Sequence, residues 1–303
     1  MTLDINPSTT ETESLARELY QPLSLPRTVF SRGMTVLAFL LTAIALLPLF
    51  SIFWEILRQG IGQLSWEVFV SLPAPVGVED QPNGFANAIL GTLMMVGIAS
   101  LLSIPIGMMT GIFLSELGGN NGITNTIRFM TKILSSVPSI IVGVFAYGVI
   151  VLATKQFSAV AGGFALGIIM LPIIALTTEE SLKLIPQSYR LASAGLGCDR
   201  FETTFRIILP AALPAITTGA LLAVSRVAGE TAPLLFTALS SSNWPDGIFN
   251  PTPSLSVLIY KYASSPYQEQ NAMAWTASLV LVCIILLSSI LSRYFTRKRL
   301  ETR

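Results

Sequence analysis

ALPAITTGALLAVSRVAGETAPLLFTAL, residues 212–239, is a long apolar stretch with an arginine and a glutamate near its middle. A helix crossing the hydrocarbon core of a bilayer needs about 20 predominantly apolar residues, and this stretch satisfies that length. An isolated arginine at the bilayer centre costs about 2.5–3.5 kcal/mol on insertion scales. Arg226 and Glu230 are therefore expected to face a bundle interior, a partner or a water-filled path. Four positions apart, they are expected one helical turn apart on a single face.

Lipid as the solvent suits the whole chain. Of 303 residues, 52% are hydrophobic and only 12% charged, with a mean hydropathy of +0.67. Soluble domains carry about 25% charged residues, so this chain has too little charge to clothe a large wet surface. The net charge of +1 argues against a nucleic-acid footprint. The absence of histidine removes imidazole metal sites and histidine general-base catalysis. Cys198 sits in a polar loop and Cys283 in an apolar run, which is no disulfide framework. No Gly-Lys pair occurs, so there is no Walker A phosphate loop.

Five further apolar runs, at 34–57, 88–114, 133–153, 159–177 and 273–291, join residues 211–239. They give an all-α polytopic fold with about six transmembrane helices. Residues 1–33 read as a polar tail, and 34–87 as the first span with its outer loop. Residues 88–293 read as the membrane core and 294–303 as a basic tail. Basic residues set the orientation. Arg17, Arg27, Arg32, Arg128, Lys132, Lys183, Arg190, Arg200, Arg206, Arg293, Arg297, Lys298, Arg299 and Arg303 fall on one side. Arg58, Lys155 and Lys261 fall on the other. Both termini and residues 178–210 are thus expected in the cytosol, with 59–87 and 240–271 outside. Gly107, Gly111, Gly143, Gly148, Gly219 and Ala223 predict close helix packing. Pro105, Pro138, Pro172 and Pro233 predict kinks.

The segment SLKLIPQSYRLASAGLGCDRFETTFRIILP, residues 181–210, is patterned rather than loose. A short helix is expected from Gln187 to Ala194, ending at Gly195 or Gly197. Asp199 then caps a second helix, with Glu202 placed for a capping box. Phe201, Phe205 and Ile208 recur at helical spacing as an apolar stripe, and Pro210 is expected to close the segment. This pattern alone also describes an amphipathic hairpin lying on lipid. The charged pair has two readings as well. One is a self-neutralising pair that only holds the bundle, although Arg before Glu is the weaker helical order. The other is a substrate or gating site, in which the guanidinium forks onto an oxyanion. Glu230 would then hold or release Arg226, and Ser225, Thr231 and the Gly229 backbone would add hydrogen bonds.

The spacing Gly197, nine residues, Ile207, one residue, Leu209-Pro210 resembles the "EAA" loop of ABC importer permeases. Leu191, Ala192 and Ser193 stand where that family often has Glu-Ala-Ala, so the first carboxylate is missing. The run SRVAGETAPLLFTA at 225–238 resembles the signature of PstA-type phosphate permeases. SSVPSIIVGVFAYGVIV at 135–151 and GGFALGIIMLPIIALTTEE at 162–180 agree with it. The sister PstC type shares Arg-x-x-Gly-Glu-Thr, but Ala-Pro-Leu-Leu at 232–235 favours PstA. The resemblance covers roughly residues 85–293.

It implies a type I ABC importer permease (MetI-like) fold. It also implies a permease subunit that moves inorganic phosphate across a bacterial inner membrane by alternating access, driven by ATP. Arg226 and Glu230 match the residues implicated in phosphate passage. A coupling loop carrying Ala192, Gly197, Asp199, Phe201, Phe205, Ile207, Leu209 and Pro210 would dock on an ATPase. The implied partners are a PstC-type permease, two PstB-type ATPases holding ATP and magnesium, and a periplasmic PstS-type phosphate-binding protein. No catalytic residue, metal or cofactor is expected in this chain. An ABC permease for another oxyanion, an ion-coupled secondary transporter and a membrane scaffold remain as alternatives.

Overall fold

The computed structural model describes residues 25–77, 81–119 and 121–301, with side-chain surroundings up to residue 290. Of the expected tails, residues 1–24 and 302–303 lie outside that description, while residues 294–301, expected as a basic tail, continue the last helix. The chain divides into two units, residues 1–55 and 56–303.

The first unit holds most of helix α1, Leu25–Gly60. At 36 residues it is about 54 Å long at 1.5 Å per residue, which exceeds the roughly 30 Å hydrocarbon core. It starts nine residues before the expected span, so Arg27 and Arg32 are helical rather than in a tail. Its apolar side chains, Phe39 and Phe50 among them, are exposed, as suits a surface bathed in lipid.

In the second unit, helix α2 is the short Glu67–Val70 turn. Helix α3 runs Ala86–Leu117, α6 Ala159–Lys183, α8 Arg200–Ala228, and α11 Gln268–Glu301. With α1, these are the five helices among the described residues long and apolar enough to cross a membrane. The sixth expected span is bent. Helix α4, Gly122–Ser136, and helix α5, Ser139–Thr154, meet at 101°. The cause is Val137, which sits before Pro138 and takes an extended conformation at φ −67°, ψ 129°, because a following proline disfavours the α region. The shorter helices are α7, Gln187–Gly195, α9, Ala232–Thr237, and α10, Leu255–Ala263.

Helix α6 is central and the most buried of the spans. It packs along α3 through small residues, as glycine spacing predicted. Ser103 Oγ donates to the Gly167 carbonyl at 2.8 Å. A Cβ on Gly111 would stand 2.5 Å from Thr178 Cβ and 2.7 Å from the Ala175 carbonyl oxygen. Three apolar clusters follow one another along the bundle. Val68, Phe85, Leu255 and Met273 fill one end. Met95, Leu166, Met170, Ile174 and Val227 fill the middle. Ile112, Leu182, Ile208 and Ile216 fill the other end.

Among the described residues, three helices contain a π-turn, at Phe113–Leu117 in α3, Tyr147–Val151 in α5 and Thr203–Ile208 in α8. The last explains why Pro210 does not end its helix, contrary to expectation. Leu209 N bonds to Thr204 O, five residues back, so the wide turn rearranges the hydrogen bonds just ahead of the proline, which lacks a donor. Helix α6 also continues six residues past the expected 177, so residues 178–183 belong to the span and not to the loop.

Residues 240–254, part of the outer loop expected at 240–271, return onto the bundle together with the end of the preceding span. Ser158 N and Thr252 N donate to the Thr237 and Ala238 carbonyls, both at 3.0 Å. Buried Asn87 donates to the Ser241 and Asn243 carbonyls at 3.2 Å. Leu255 N bonds Thr92 Oγ1 at 2.9 Å, which seats α10 beside α3.

Candidate functional site

The hairpin at residues 184–210 is built by two caps. Helix α7 ends in a Schellman motif, with Gly197 N bonding Ala194 O at 3.0 Å and Cys198 N bonding Ser193 O at 3.2 Å. The motif needs a left-handed residue at its turn, and Gly197 supplies φ +82°. Two residues later Asp199 Oδ1 accepts the Glu202 amide at 2.6 Å and starts α8. The Glu202 carboxylate pairs with Arg206 at 3.3 Å on the exposed face. The two arms are tied by Ser193 Oγ and Thr203 Oγ1, 2.7 Å apart.

The expected stripe of Phe201, Phe205 and Ile208 runs from the exposed tip into the bundle. Ile208 is buried in the bundle, while Phe205, Ile207 and Leu209 pack against the same cluster. Pro210 is half-buried beside them. The π-turn at Thr203–Ile208 adds a residue to the turn and so re-aims the side chains beyond it. Phe201 remains exposed and packs tilted on Phe205 at a ring separation of 4.4 Å. Ala192, Leu191 and Leu196 are also exposed, so the hairpin tip offers an apolar surface.

The charged pair lies where a helix stops. Helix α8 ends at Ala228, Gly229 caps it, and α9 resumes at Ala232. A continuous helix would drive the Pro233 ring against the Gly229 carbonyl, four residues back; in the first turn of α9 that proline is tolerated. The pair therefore does not share one uninterrupted helical face, as the spacing had predicted. Arg226 Nε still approaches Glu230 Oε1 at 3.7 Å, beyond ordinary hydrogen-bond length. The guanidinium side chain is 57% exposed and that of Glu230 19%. Glu230 O accepts Ser256 Oγ of α10 at 2.9 Å. Ser225 Oγ lies 3.3 Å from Ser289 Oγ of α11. Thr231 caps α9 through its carbonyl, which accepts Leu234 N and Leu235 N.

A second ionic group, absent from the sequence expectations, sits beside the hairpin. Glu116, in the π-turn of α3, is gripped by Arg190 of α7 through Nη2–Oε1 at 2.6 Å and Nε–Oε2 at 3.1 Å. This hydrogen-bonded carboxylate holds the Arg190 guanidinium above its ordinary pKa. Buried Glu179 of α6 is bonded by Arg128 of α4 at 2.8 Å and by Lys183. Arg128 also reaches the Leu114 carbonyl at 3.3 Å. Glu116 and Arg190 are 74 residues apart, and local spacing carries no signal for such a contact.

Residues 103–301 match the family described as binding-protein-dependent transport system inner membrane component. The phosphate transport system permease protein PstA of Pasteurella multocida is 36% identical over 89% of this chain and 95% of its own. That of Haemophilus influenzae is 38% identical over 89% and 94%. The chain belongs to the PstA family of permeases. A probable PstA protein of Methanocaldococcus jannaschii is 34% identical over 84% of the chain and 89% of its own. Two inward-facing crystal forms of the MetNI methionine ABC transporter share the permease fold. Their TM-scores are 0.56 and 0.58, at 21% and 20% identity, over 70% of this chain and 94% of theirs. The PstA match includes both the hairpin and the broken helix. This permease is accordingly a multi-pass membrane protein of the ABC importer class.

Proposed function

We propose that this chain is one of two permease subunits of an ATP-driven importer of inorganic phosphate, working by alternating access. The observation that carries the reading is the exposed Arg226 guanidinium, held at a break in an otherwise apolar span with Glu230 3.7 Å away. A guanidinium keeps its charge in any local medium and forks onto two oxygens of an oxyanion. The loose Glu230 contact can be exchanged for phosphate, and the carboxylate re-neutralises Arg226 after the anion leaves. Ser225 and Thr231 flank the pair and supply hydroxyls.

Energy enters from outside the chain. The hairpin tip, with Leu191, Ala192, Leu196 and Phe201 outward, docks on a PstB-type ATPase that binds ATP and magnesium. A PstC-type permease completes the path, and a PstS-type binding protein delivers phosphate from the other face. Both termini and the hairpin lie in the cytosol, following the distribution of basic residues.

The test is phosphate uptake by the reconstituted complex in vesicles. Arg226→Ala and Glu230→Ala should each abolish uptake while complex yield stays normal. Transport at the wild-type rate by either variant would remove the pair from the pathway. Uptake that persists on an ion gradient without ATP would favour a secondary transporter.

A further inference from the structure

The Arg190 guanidinium joins three parts of the bundle. Two bonds fork onto Glu116 in the π-turn of α3. Nη1 donates to the Ile185 carbonyl at 2.8 Å and Nη2 to the Leu182 carbonyl at 3.1 Å, just past and within the last turn of α6. Arg190 itself stands in α7, next to the outward-facing Leu191. Helix α6 otherwise passes to α7 through only Leu184, Ile185 and Pro186.

Glu116 is 7% exposed, and a buried carboxylate is stable only when paired and hydrogen-bonded. The fork is planar and directional, so it resists shear between α7 and α3 in a way that apolar contact does not. A lysine would offer a single point of charge and could not satisfy both carboxylate oxygens and both carbonyls. Arg128 binds both Glu179 of α6 and the Leu114 carbonyl of α3. The ends of α3 and α6 are thereby fastened to each other, and Arg190 fastens the hairpin to both.

We propose that Arg190 is a positioning residue for transport coupling, which passes displacement of the hairpin to α3 and α6 through Glu116. This rests on the proposed role of the hairpin as the ATPase dock. When a docked subunit moves α7, the fork carries α3 and α6 with it as one body. Without the fork, movement is absorbed in residues 184–186, and ATP is hydrolysed without phosphate crossing.

The experiment uses the complete complex in proteoliposomes with its binding protein, measuring phosphate uptake and ATP hydrolysis together. Arg190→Lys should assemble normally but raise the ATP hydrolysed per phosphate by about tenfold, within the usual range of site-to-site coupling. The double variant Glu116→Leu with Arg190→Met replaces the ion pair by apolar groups, a change that often preserves stability. It should keep complex yield and thermal midpoint yet stay uncoupled. Should either variant show the wild-type ratio, or should the double variant regain coupling along with stability, Arg190 is merely structural. Absence of ATP-driven uptake in the wild-type complex would instead overturn the importer reading, and this inference with it. Arg226→Ala provides the internal contrast: it should lose uptake while binding-protein stimulation of hydrolysis is retained, whereas Arg190→Lys should lose that stimulation.

Discussion

Gly111 shows how little room one atom leaves between the two central helices. A methyl there would meet Thr178 Cβ at 2.5 Å and the Ala175 carbonyl oxygen at 2.7 Å, and the carbonyl belongs to a helix backbone that cannot swing aside. Overpacking of this kind typically costs about 1–3 kcal/mol. Gly111→Val should therefore lower the thermal midpoint and yield of the purified chain, measured by size-exclusion after heating; an unchanged midpoint would mean that α3 and α6 separate easily. At this scale the sequence is informative where chemistry is local. An arginine and a glutamate in an apolar run signal themselves by their cost in lipid. Their geometry is less legible, because Pro233 predicts a kink at its own position whereas it displaces the break to Gly229–Thr231. Glu116 with Arg190 and Glu179 with Arg128 are invisible in the sequence, since each contact joins distant segments.

Among elements, the hairpin is the most readable because its caps are local. Asp199 and Gly197 announce the start of one helix and the end of another, and both act through the expected backbone bonds. Gly197 has open space around it, so only its positive φ forbids a side chain. A left-handed conformation costs most residues about 1–2 kcal/mol, with asparagine among the exceptions. Gly197→Ala should weaken recovery of the ATPase subunit with the tagged permease, and Gly197→Asn should largely restore it. Equal recovery from both variants would show that the turn tolerates any backbone. Helix ends further from such caps are harder to place. Hydropathy marks where lipid begins, not where hydrogen bonding stops, so α6 outruns its apolar run and α4 lies hidden before Pro138.

For the whole molecule, the distribution of arginine and lysine makes a prediction that the fold does not by itself decide. The two native thiols report on it. Cys198 lies half-buried at the hairpin turn, and Cys283 is exposed in the apolar stretch of α11. A membrane-impermeant maleimide should label Cys198 in inverted membrane vesicles and not in intact cells, while Cys283 resists in both. Labelling of Cys198 from the cell exterior would invert the topology.

The π-turn of α8 carries a consequence of its own. Side chains advance about 100° per residue around a helix, so the surplus residue in Thr203–Ile208 sets the azimuth of Phe201 relative to Ile208 and Ile216 below it. Deleting one residue there would restore ordinary helical bonding on both flanks, yet swing the hairpin tip about a quarter-circle around the helix axis. The bearing of that tip is thus encoded in chain length, and no substitution that keeps the residue count could reveal it.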